Sequence, residues 1–574
     1  MPTFEIISTL LLVLAGTLFL LRVLSGFLPH FVRTPSVKWR KRVNDAIKAA
    51  EKATNKIPVL DFGWKTGSVR RQMILASLKP SDYSNKTYGS KIAVGTQDRQ
   101  NREEFVNRMV ASERAYKRII YGFFHPYCDA GGGGEKVLWK AVETTLQRDP
   151  ECVTVIYTGD YETSGEEILS KVSERFGYKI QGSRVVFIFL KTRRYVDPKT
   201  WPKLTLLGQA LGSVILAVEA LYKLSPDVWC ETMGYPFTYP IAKWVARIPV
   251  ITYTHYPIIS SDMLDKLVHM RGYHSSIKLR LKSLYWKIFL FLYRGTGTYV
   301  DIASTNSTWT QNHIKKIWPV SDSRIIYPPC STENLVFKED GSGWSRENQA
   351  VIIAQFRPEK RHSLIISSYA SALEEQELGK SVSLPKLVFI GSTRTAEDRQ
   401  YVEELKTLCF EKYAIPKDLV EFKTDCEYNI MKDYLRKSTY GINAMWNEHF
   451  GISVVEYAAS GLIPLVHASA GPLLDIVVPW DSKMNRQVSD YNDSTRTGFF
   501  FKDPSDPDFA KQKSKNYKTL RDIFLQVTTL SDEEKHVISK RTKKCVLSKF
   551  SDETFSVKWN RMLEDLPEID SSHQ

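Results

Sequence analysis

Cysteine is scarce in this 574-residue chain: seven residues, scattered singly, with no Cys-x-x-Cys pair. That favours a reduced compartment over a disulfide framework, and no thiolate zinc spacing is present. No internal repeat or low-complexity block is present, which sets aside solenoids and disordered tracts. Negative charge falls short as well: 64 Asp and Glu stand against 79 Lys and Arg, a formal net charge of +15. The excess favours anionic partners such as phosphate groups, acidic lipid surfaces or nucleic acid. No nucleic-acid motif accompanies it. With 43% hydrophobic and 25% charged residues the chain reads as folded, and it is too long for one core, so two domains plus extras are expected.

Long apolar runs are few, and the first lies at the start. Phe4 to Leu28 is apolar apart from Glu5, Arg22 and small polar residues. It exceeds the roughly 20 residues that cross a bilayer. A cleaved signal would carry a basic start, which is missing, so a transmembrane anchor over 1–30 is the stronger reading. Arg33, Lys38, Arg40, Lys41 and Arg42 follow it. The positive-inside rule then puts the rest of the chain in the cytosol, leaving the sequons at Asn85, Asn306 and Asn492 unused.

Residues 31–115 are polar and mixed in charge. "VNDAIKAAEKATNK" reads as a helix and the remainder as a basic linker. From "KRIIYGFF" onward short apolar runs ("VTVIY", "RVVFIFL", "PDVWCET", "PVITYTH", "YVDIAST") alternate with helical patterns, as in βαβ units around a buried parallel sheet. "SRIIYPPCST" reads as a hinge. A second series follows: "AVIIAQF", "KLVFIG", "LVEFKTD", "STYGINAM", "LIPLVHA". The expected domains are 116–335 and 336–545, with a C-terminal helix and tail over 546–574. Two such α/β domains leave a cleft between their strand C-terminal edges, where open sheets bind ligands. Two further stretches, Leu204 to Leu224 and 284–300, fit a second span, an interfacial helix or a buried helix; a second span would divide the α/β halves across the membrane.

"NEHFGISVVEYAASGLIPL" carries two glutamates, Glu448 and Glu456, eight residues apart. On one helix that spacing separates them by about 12 Å and turns them about 80° apart. Paired glycosidase carboxylates must face each other across about 5–9.5 Å, a pairing that one continuous helix does not offer at this spacing. Instead Glu448 is expected in the loop after "STYGINAM", with a helix starting near Phe450, Glu456 one to two turns in, and Gly461 at its end. Such a layout grips an elongated ligand at two places around a helix N-terminus open to an anion, as a sugar nucleotide requires. Two solvated surface glutamates are the plainer alternative. "FRPEKRH" places Arg357, Lys360 and Arg361 after the first strand of the second series, where cations can neutralise a diphosphate; a solvated loop is the alternative. "DAGGGGEKVLW" puts Gly131, Gly132, Gly133 and Gly134 after the first strand of the first series, where backbone can approach a phosphate, although the G-x-G-x-x-G spacing is incomplete. His255 follows another strand in "YTHYP".

These motifs carry a resemblance. The E-x-F-G-I-x-x-x-E pattern from Glu448 to Glu456 resembles the signature of the retaining family-four glycosyltransferases, which have the α/β GT-B fold of two Rossmann-like domains facing a central cleft. "HPYCDAGGGGEKVLW", "WCETMGYPFTYP", "YTHYPIISSDM", "QFRPEKRH" and "NEHFGISVVEYAASGLIPLVHASAGPLLDIV" are more closely similar to the dolichol-pathway α-1,2-mannosyltransferases. The likeness runs from about Ile119 to near Leu563. It implies GDP-mannose as donor and addition of the fourth and fifth mannoses to a dolichol-pyrophosphate oligosaccharide, on the cytosolic face of the endoplasmic reticulum membrane. Other mannosyltransferases of the pathway are implied as partners, nucleic acid is not, and no cofactor or metal is expected. Carried over position by position, Glu456 binds the ribose, and Glu448 sits by the donor mannose. The Phe450-Gly451-Ile452 backbone meets donor hydroxyls or phosphate, and Arg357 and Lys360 take the diphosphate. The family spacing of that arginine and lysine is longer, which leaves Lys360 and Arg361 as alternatives. His255 lies near the transferred sugar and Gly131 to Gly134 line the acceptor and phosphate side. No Asp-x-Asp cluster is expected at the cleft.

Two rivals stay open at this stage. One is another membrane-bound lipid glycosyltransferase, such as the phosphatidylinositol N-acetylglucosaminyl type, which donor assays would separate. The other is a catalytically silent scaffold of the same fold, against which intact Arg357, Glu448 and Glu456 argue.

Overall fold

The computed structural model describes residues 26–34, 37–52, 58–63, 66–85, 91–111, 118–259, 263, 276–337, 344–377, 383–509 and 516–566. Nearly all of the N-terminal apolar run lies outside them. The chain divides into two compact units, one made of Met1–Thr305, His313–Arg324 and Lys558–Gln574, the other of Asn306–Asn312 and Ile325–Val557.

The first unit is built on a seven-stranded sheet. Its strands are β1 (Ile120–Phe124), β2 (Val153–Thr158), β3 (Val185–Phe189), β4 (Val228–Glu231), β5 (Val250–Thr254), β6 (Ile302–Thr305) and β7 (Ser323–Ile325). They lie in the order β3-β2-β1-β4-β5-β6-β7. The ladders of β1 with β2 and β4 are parallel, with Tyr121 opposite both Thr154 and Val228. Every residue of β1, β2, β4 and β5 is buried, which is why these strands read as unbroken apolar runs.

The second unit repeats the plan with β8 (Glu347–Ile353), β9 (Lys386–Gly391), β10 (Val420–Thr424), β11 (Ser438–Asn443), β12 (Ile463–His467) and β13 (Phe499–Phe501). The order is β10-β9-β8-β11-β12-β13, and every ladder is parallel. Each sheet thus winds outward from its first strand, then reverses and continues from its fourth. The reversal opens a crevice at the C-terminal ends of β1 and β4 in one sheet and of β8 and β11 in the other. The expected hinge stretch contains the division at Arg324 and Ile325.

The linker expected over 31–115 is corrected. Helix Val37–Lys52 is present, but Thr66–Ala76 is a helix buried on every side, and Val69, Met73, Tyr83 and Phe105 belong to the core of the first unit. The polar texture misled because its cations are paired internally. Arg71 Nη2 and Arg33 Nη2 each lie 2.7 Å from Oδ1 of the buried Asp227, whose Oδ2 accepts from the Ile120 N–H at 2.9 Å. Arg70 donates to the Lys223 carbonyl at 2.9 Å. The C-terminal helix Asp552–Glu564 also returns to this unit: Trp559 stacks on Phe123 and donates to Thr145 Oγ1 at 3.0 Å.

Helix Thr205–Lys223 is the one described helix long and apolar enough to cross a bilayer. It lies against the first unit through Leu216, Ala217, Ala220 and Leu221, and its Glu219 accepts from the Lys191 and Thr192 N–H groups. Leu211, Ile215, Val218 and Tyr222 remain exposed. Helix Ile277–Thr296 likewise buries Phe289 and Tyr293 and exposes Leu281, Leu284, Ile288 and Phe291. The fully buried reading is corrected for both helices, since each packs one face on the first unit and leaves an apolar face exposed.

Candidate active site

In the first unit the crevice is formed by the loop after β1. Gly131 takes φ +75°, a left-handed turn that a Cβ would strain, and Gly132 caps the helix Gly133–Arg148. Glu135, in the first turn, reaches back to accept the Gly132 N–H at 2.5 Å. Its other oxygen lies 3.5 Å from Nε2 of His125, and His125 Nδ1 lies 2.8 Å from Thr232 Oγ1 in the loop after β4. Together with the Gly132 bond, the His125 contacts hold the Glu135 carboxyl below its ordinary range despite burial. His255, in the loop after β5, donates from Nε2 to the Thr232 carbonyl at 3.1 Å. Burial first, and then His125, push its pKa down to about 4, so it stays neutral at physiological pH. A Cβ on Gly134 would stand 3.7 Å from that same Nε2. The glycine loop and His255, far apart in sequence, therefore meet around Thr232. His125 and Glu135 escaped the sequence reading, although His125 follows β1 as His255 follows β5.

In the second unit the expected layout forms. Glu448 lies in the loop after β11, helix Ile452–Ala459 starts after Gly451 at φ +104°, Glu456 is its fifth residue, and Gly461 at φ +87° ends it. The Phe450 side chain is buried against Tyr327 and Phe550, so this residue presents only its backbone. The Val454 and Val455 N–H groups donate to the Gly451 carbonyl at 3.0 and 3.3 Å, so the N–H groups that precede the first intrahelical bond are those of Ile452 and Ser453. Glu456 is half-buried beside Tyr428, whose hydroxyl it pushes upward in pKa after burial itself.

The loop after β8 supplies the cations, and the structure separates their roles. Lys360 Nζ lies 2.6 Å from Glu448 Oε2 and 3.2 Å from the Met445 sulfur. Asn443 Nδ2, at the end of β11, is 3.4 Å from the same carboxylate oxygen. Arg361 turns away at φ +56° and binds Asp506 Oδ1 at 2.7 Å and Ser505 Oγ at 3.1 Å. Arg357 is the most exposed of the three and makes only a long contact, 3.8 Å, to Asp398. Of the two alternatives, Lys360 is thus the one beside Glu448. Asp506-Pro507-Asp508 corrects the expectation that no Asp-x-Asp adjoins the site. Asp506 receives Arg361 and His467 Nε2, while Asp508 receives Lys502 and Trp446 Nε1.

Gly471 completes the crevice. Its N–H donates to the Glu448 carbonyl at 3.0 Å, and a Cβ there would lie 2.3 Å from the Phe450 carbonyl oxygen and 2.5 Å from the Phe450 Cα. No local pattern marked it: the residue matters because the 448–450 backbone presses on it.

Two doubly wound sheets, one ending in a glycine loop and the other in a cation–carboxylate pair beside a helix N-terminus, define a glycosyltransferase of the GT-B class. Solved structures share this fold: a sucrose-phosphate synthase from Thermosynechococcus elongatus (TM-score 0.51, 14% identity, 78% of this chain and 99% of that one) and the trehalose-6-phosphate synthase OtsA (TM-score 0.52, 9% identity, 78% and 99%). Residues 118–318 match the family described as ALG11 mannosyltransferase N-terminus, and 338–517 match glycosyl transferases group 1. The GDP-Man:Man(3)GlcNAc(2)-PP-Dol alpha-1,2-mannosyltransferase of Kluyveromyces lactis is 57% identical over 96% of both chains. The mouse protein of that name is 38% identical over 79% of this chain and 88% of its own. The chain belongs to the ALG11 mannosyltransferase family.

Proposed function

We propose that this protein transfers mannose from GDP-mannose, in α-1,2 linkage and with retention, to Man3GlcNAc2-pyrophosphoryl-dolichol, adding the fourth and fifth mannoses. The observation that carries the reading is the near full-length match to relatives that bear this activity in their names. Lys360 and Glu448 meeting at the reversal of the second sheet support it.

The chemistry asks mainly for electrostatic help. As the glycosidic bond breaks, negative charge grows on the diphosphate and positive character grows on the sugar. The Ile452–Ala459 helix N-terminus and Arg357 meet the diphosphate. Lys360 pairs with Glu448, and a diphosphate competes for the same ammonium. Glu448 lies by the mannose and stabilises its positive character, and Glu456 accepts the ribose hydroxyls. The acceptor hydroxyl attacks the face the diphosphate leaves, and the leaving oxygens help to take its proton. In the first unit His255, neutral at physiological pH, offers a hydrogen bond rather than a positive charge, and Gly131 to Gly134 leave room for the acceptor's phosphate side.

The acceptor's lipid calls for a membrane seat. The body sits on the cytosolic face of the endoplasmic reticulum membrane, held by the N-terminal span with its following basic residues and by the outward apolar faces of Thr205–Lys223 and Ile277–Thr296. Association with other mannosyltransferases of the pathway is consistent with that location. The test is purified protein with a pyrophosphate-lipid trimannosyl acceptor and a panel of GDP- and UDP-sugars, products sized by mass. Two added hexoses from GDP-mannose alone are expected; transfer from a UDP-sugar, or none, overturns the reading.

A further inference from the structure

The two groups assigned to the donor, Lys360 and Glu448, adjoin two residues held in left-handed backbone: Arg361 at φ +56° and Asn447 at φ +55°. Arg361 carries a full side chain there, so its conformation persists only where surrounding bonds impose it, whereas Asn447 is a residue type that takes this backbone more readily. One buried chain of hydrogen bonds connects them. Arg361 Nη1 donates to Asp506 Oδ1 at 2.7 Å, and Asp506 Oδ2 lies 2.8 Å from His467 Nε2. His467 Nδ1 lies 2.8 Å from Ser469 Oγ, and the Asn447 N–H donates to that same oxygen at 2.8 Å. The next residue, Ala470, is itself left-handed at φ +44°.

The direction of every bond follows from its ends. The ionised Asp506 only accepts, so a neutral His467 carries its proton on Nε2, and Nδ1 accepts from the Ser469 hydroxyl, whose oxygen takes the Asn447 N–H. The imidazole proton is then on Nε2 and points at Asp506, which accepts it together with the guanidinium and the Asp503 N–H at 2.8 Å. The chain needs a neutral His467 and an ionised Asp506. Burial holds the histidine below its ordinary range, and His467 and Arg361 bring Asp506 to about 2 in spite of burial. Both side chains are fully buried. Burying ionised groups is a poor route to stability, since apolar packing serves as well. It does fix geometry, because each member accepts one arrangement.

We propose that Ser469, His467 and Asp506 are positioning residues: they hold the turn at Arg361 and the turn at Asn447 in fixed relation, and so set Lys360 against Glu448 for transfer. The inference rests on the donor-site reading above.

The test is a double-mutant cycle on the full-length protein in detergent, with GDP-mannose and the lipid-linked acceptor. Ser469→Ala removes the hydroxyl that joins His467 to Asn447. It is expected to lower kcat about tenfold or more while the KM for GDP-mannose changes less than about twofold. Ser469→Thr, which keeps the hydroxyl, restores most of the rate. In a Glu448→Gln background the same Ser469→Ala change costs less than about twofold, because the loss acts through a group already disabled. Equal cost in both backgrounds, or an unchanged kcat in Ser469→Ala alone, overturns the proposal. Should Ser469→Ala fail to fold, Ser469→Cys, near in volume and a weaker acceptor, takes its place in the cycle under the same criteria. A fully active Glu448→Gln overturns the donor-site reading and this proposal with it, and the single variant distinguishes that case.

Discussion

Lys360 Nζ and Glu448 Oε2 lie 2.6 Å apart although their residues are separated by 88 positions. They come from the loops after β8 and β11, adjacent strands in a sheet that runs outward from one and back from the other. The strand order makes the pair. On the proposed reading a diphosphate draws on the same ammonium, and the pair then couples donor binding to Glu448.

Loss of either partner should therefore read out differently. Lys360→Ala removes a counter-charge to the leaving group and strands Glu448, and kcat/KM for GDP-mannose should fall by about 10²–10³. Glu448→Gln keeps the shape and loses the charge that counts most in the transition state, so single-turnover rate should drop more than donor affinity measured by calorimetry. Near-normal rates in both variants would make the pair a surface ornament.

Glu456 should behave as a ground-state contact. On the proposed reading its hydrogen bonds to the ribose are already made in the bound donor, so Glu456→Ala should weaken GDP-mannose binding by about 1.5–3 kcal/mol and leave the saturated rate nearly intact. Calorimetry with GDP alone gives the same loss if the contact is to the ribose, and none if it is to the mannose.

Gly471→Ala should abolish transfer and also cost about 1–3 kcal/mol of stability, as over-packing does. Its φ is −58°, so the constraint is space and not backbone strain: the new methyl would meet the Phe450 and His449 carbonyls. To bring the 2.3 Å approach to the Phe450 carbonyl out to an ordinary contact, the backbone has to shift by about 1 Å, and misplacement on that scale is costly for catalysis. Circular dichroism melts beside initial rates decide it; full activity would mean that the Glu448 loop tolerates displacement.

Both sheets were legible because buried parallel strands leave unbroken apolar runs, and the glycine loop and both glutamates were legible because loop chemistry is local. Residues 31–115 were misread because Arg33, Arg70 and Arg71 look solvated in sequence, yet their charges end on Asp227 and on the Lys223 carbonyl. Asp506, His467 and Ser469 were invisible for another reason. Their role lies in joining residues 361 and 447, and no spacing rule relates positions brought together only by strand order. Lys360 and Arg361 could not be told apart until the left-handed turn at Arg361 sent their side chains to different partners.

Acid should destabilise the second unit through His362. This side chain is fully buried, stacked on Phe356 and beside Tyr401, and burial, with Lys360 adding to it, pushes its pKa down to about 4. The folded pKa lies below the unfolded value of about 6.5. Between the two, the unfolded chain binds the extra proton, so the stabilisation is complete above pH 6.5 and is lost as pH falls toward 4. The slope from this one group is about 1.4 kcal/mol per pH unit. Denaturant unfolding at pH 7, 6 and 5 should show His362→Phe flatter than the parent by that amount; parallel curves would mean that His362 is already charged in the folded protein.

The two outward apolar faces give the last expectation. Leu211, Ile215, Val218 and Tyr222 are spaced four, three and four along Thr205–Lys223, and each is more than two-fifths exposed. Leu281, Leu284, Ile288 and Phe291 repeat the pattern on Ile277–Thr296, among Lys278, Arg280, Lys282 and Lys287. Neither helix can leave the first unit cheaply: Glu219 caps the backbone at Lys191 and Thr192, and Phe289 and Tyr293 are core residues. The faces therefore suit seating in the interface rather than crossing it. Each seated apolar side chain contributes up to about 1.5–3 kcal/mol, and each nearby cation about 1 kcal/mol on an anionic surface. A chain truncated to residues 31–574 should still sediment with vesicles containing anionic lipid, less so at high salt. Ile215→Glu with Phe291→Glu should release it while transfer to a water-soluble acceptor continues, since both residues belong to the first unit and the Lys360–Glu448 pair to the second. Truncated protein that stays in the supernatant at low salt would show that these faces do not seat in lipid.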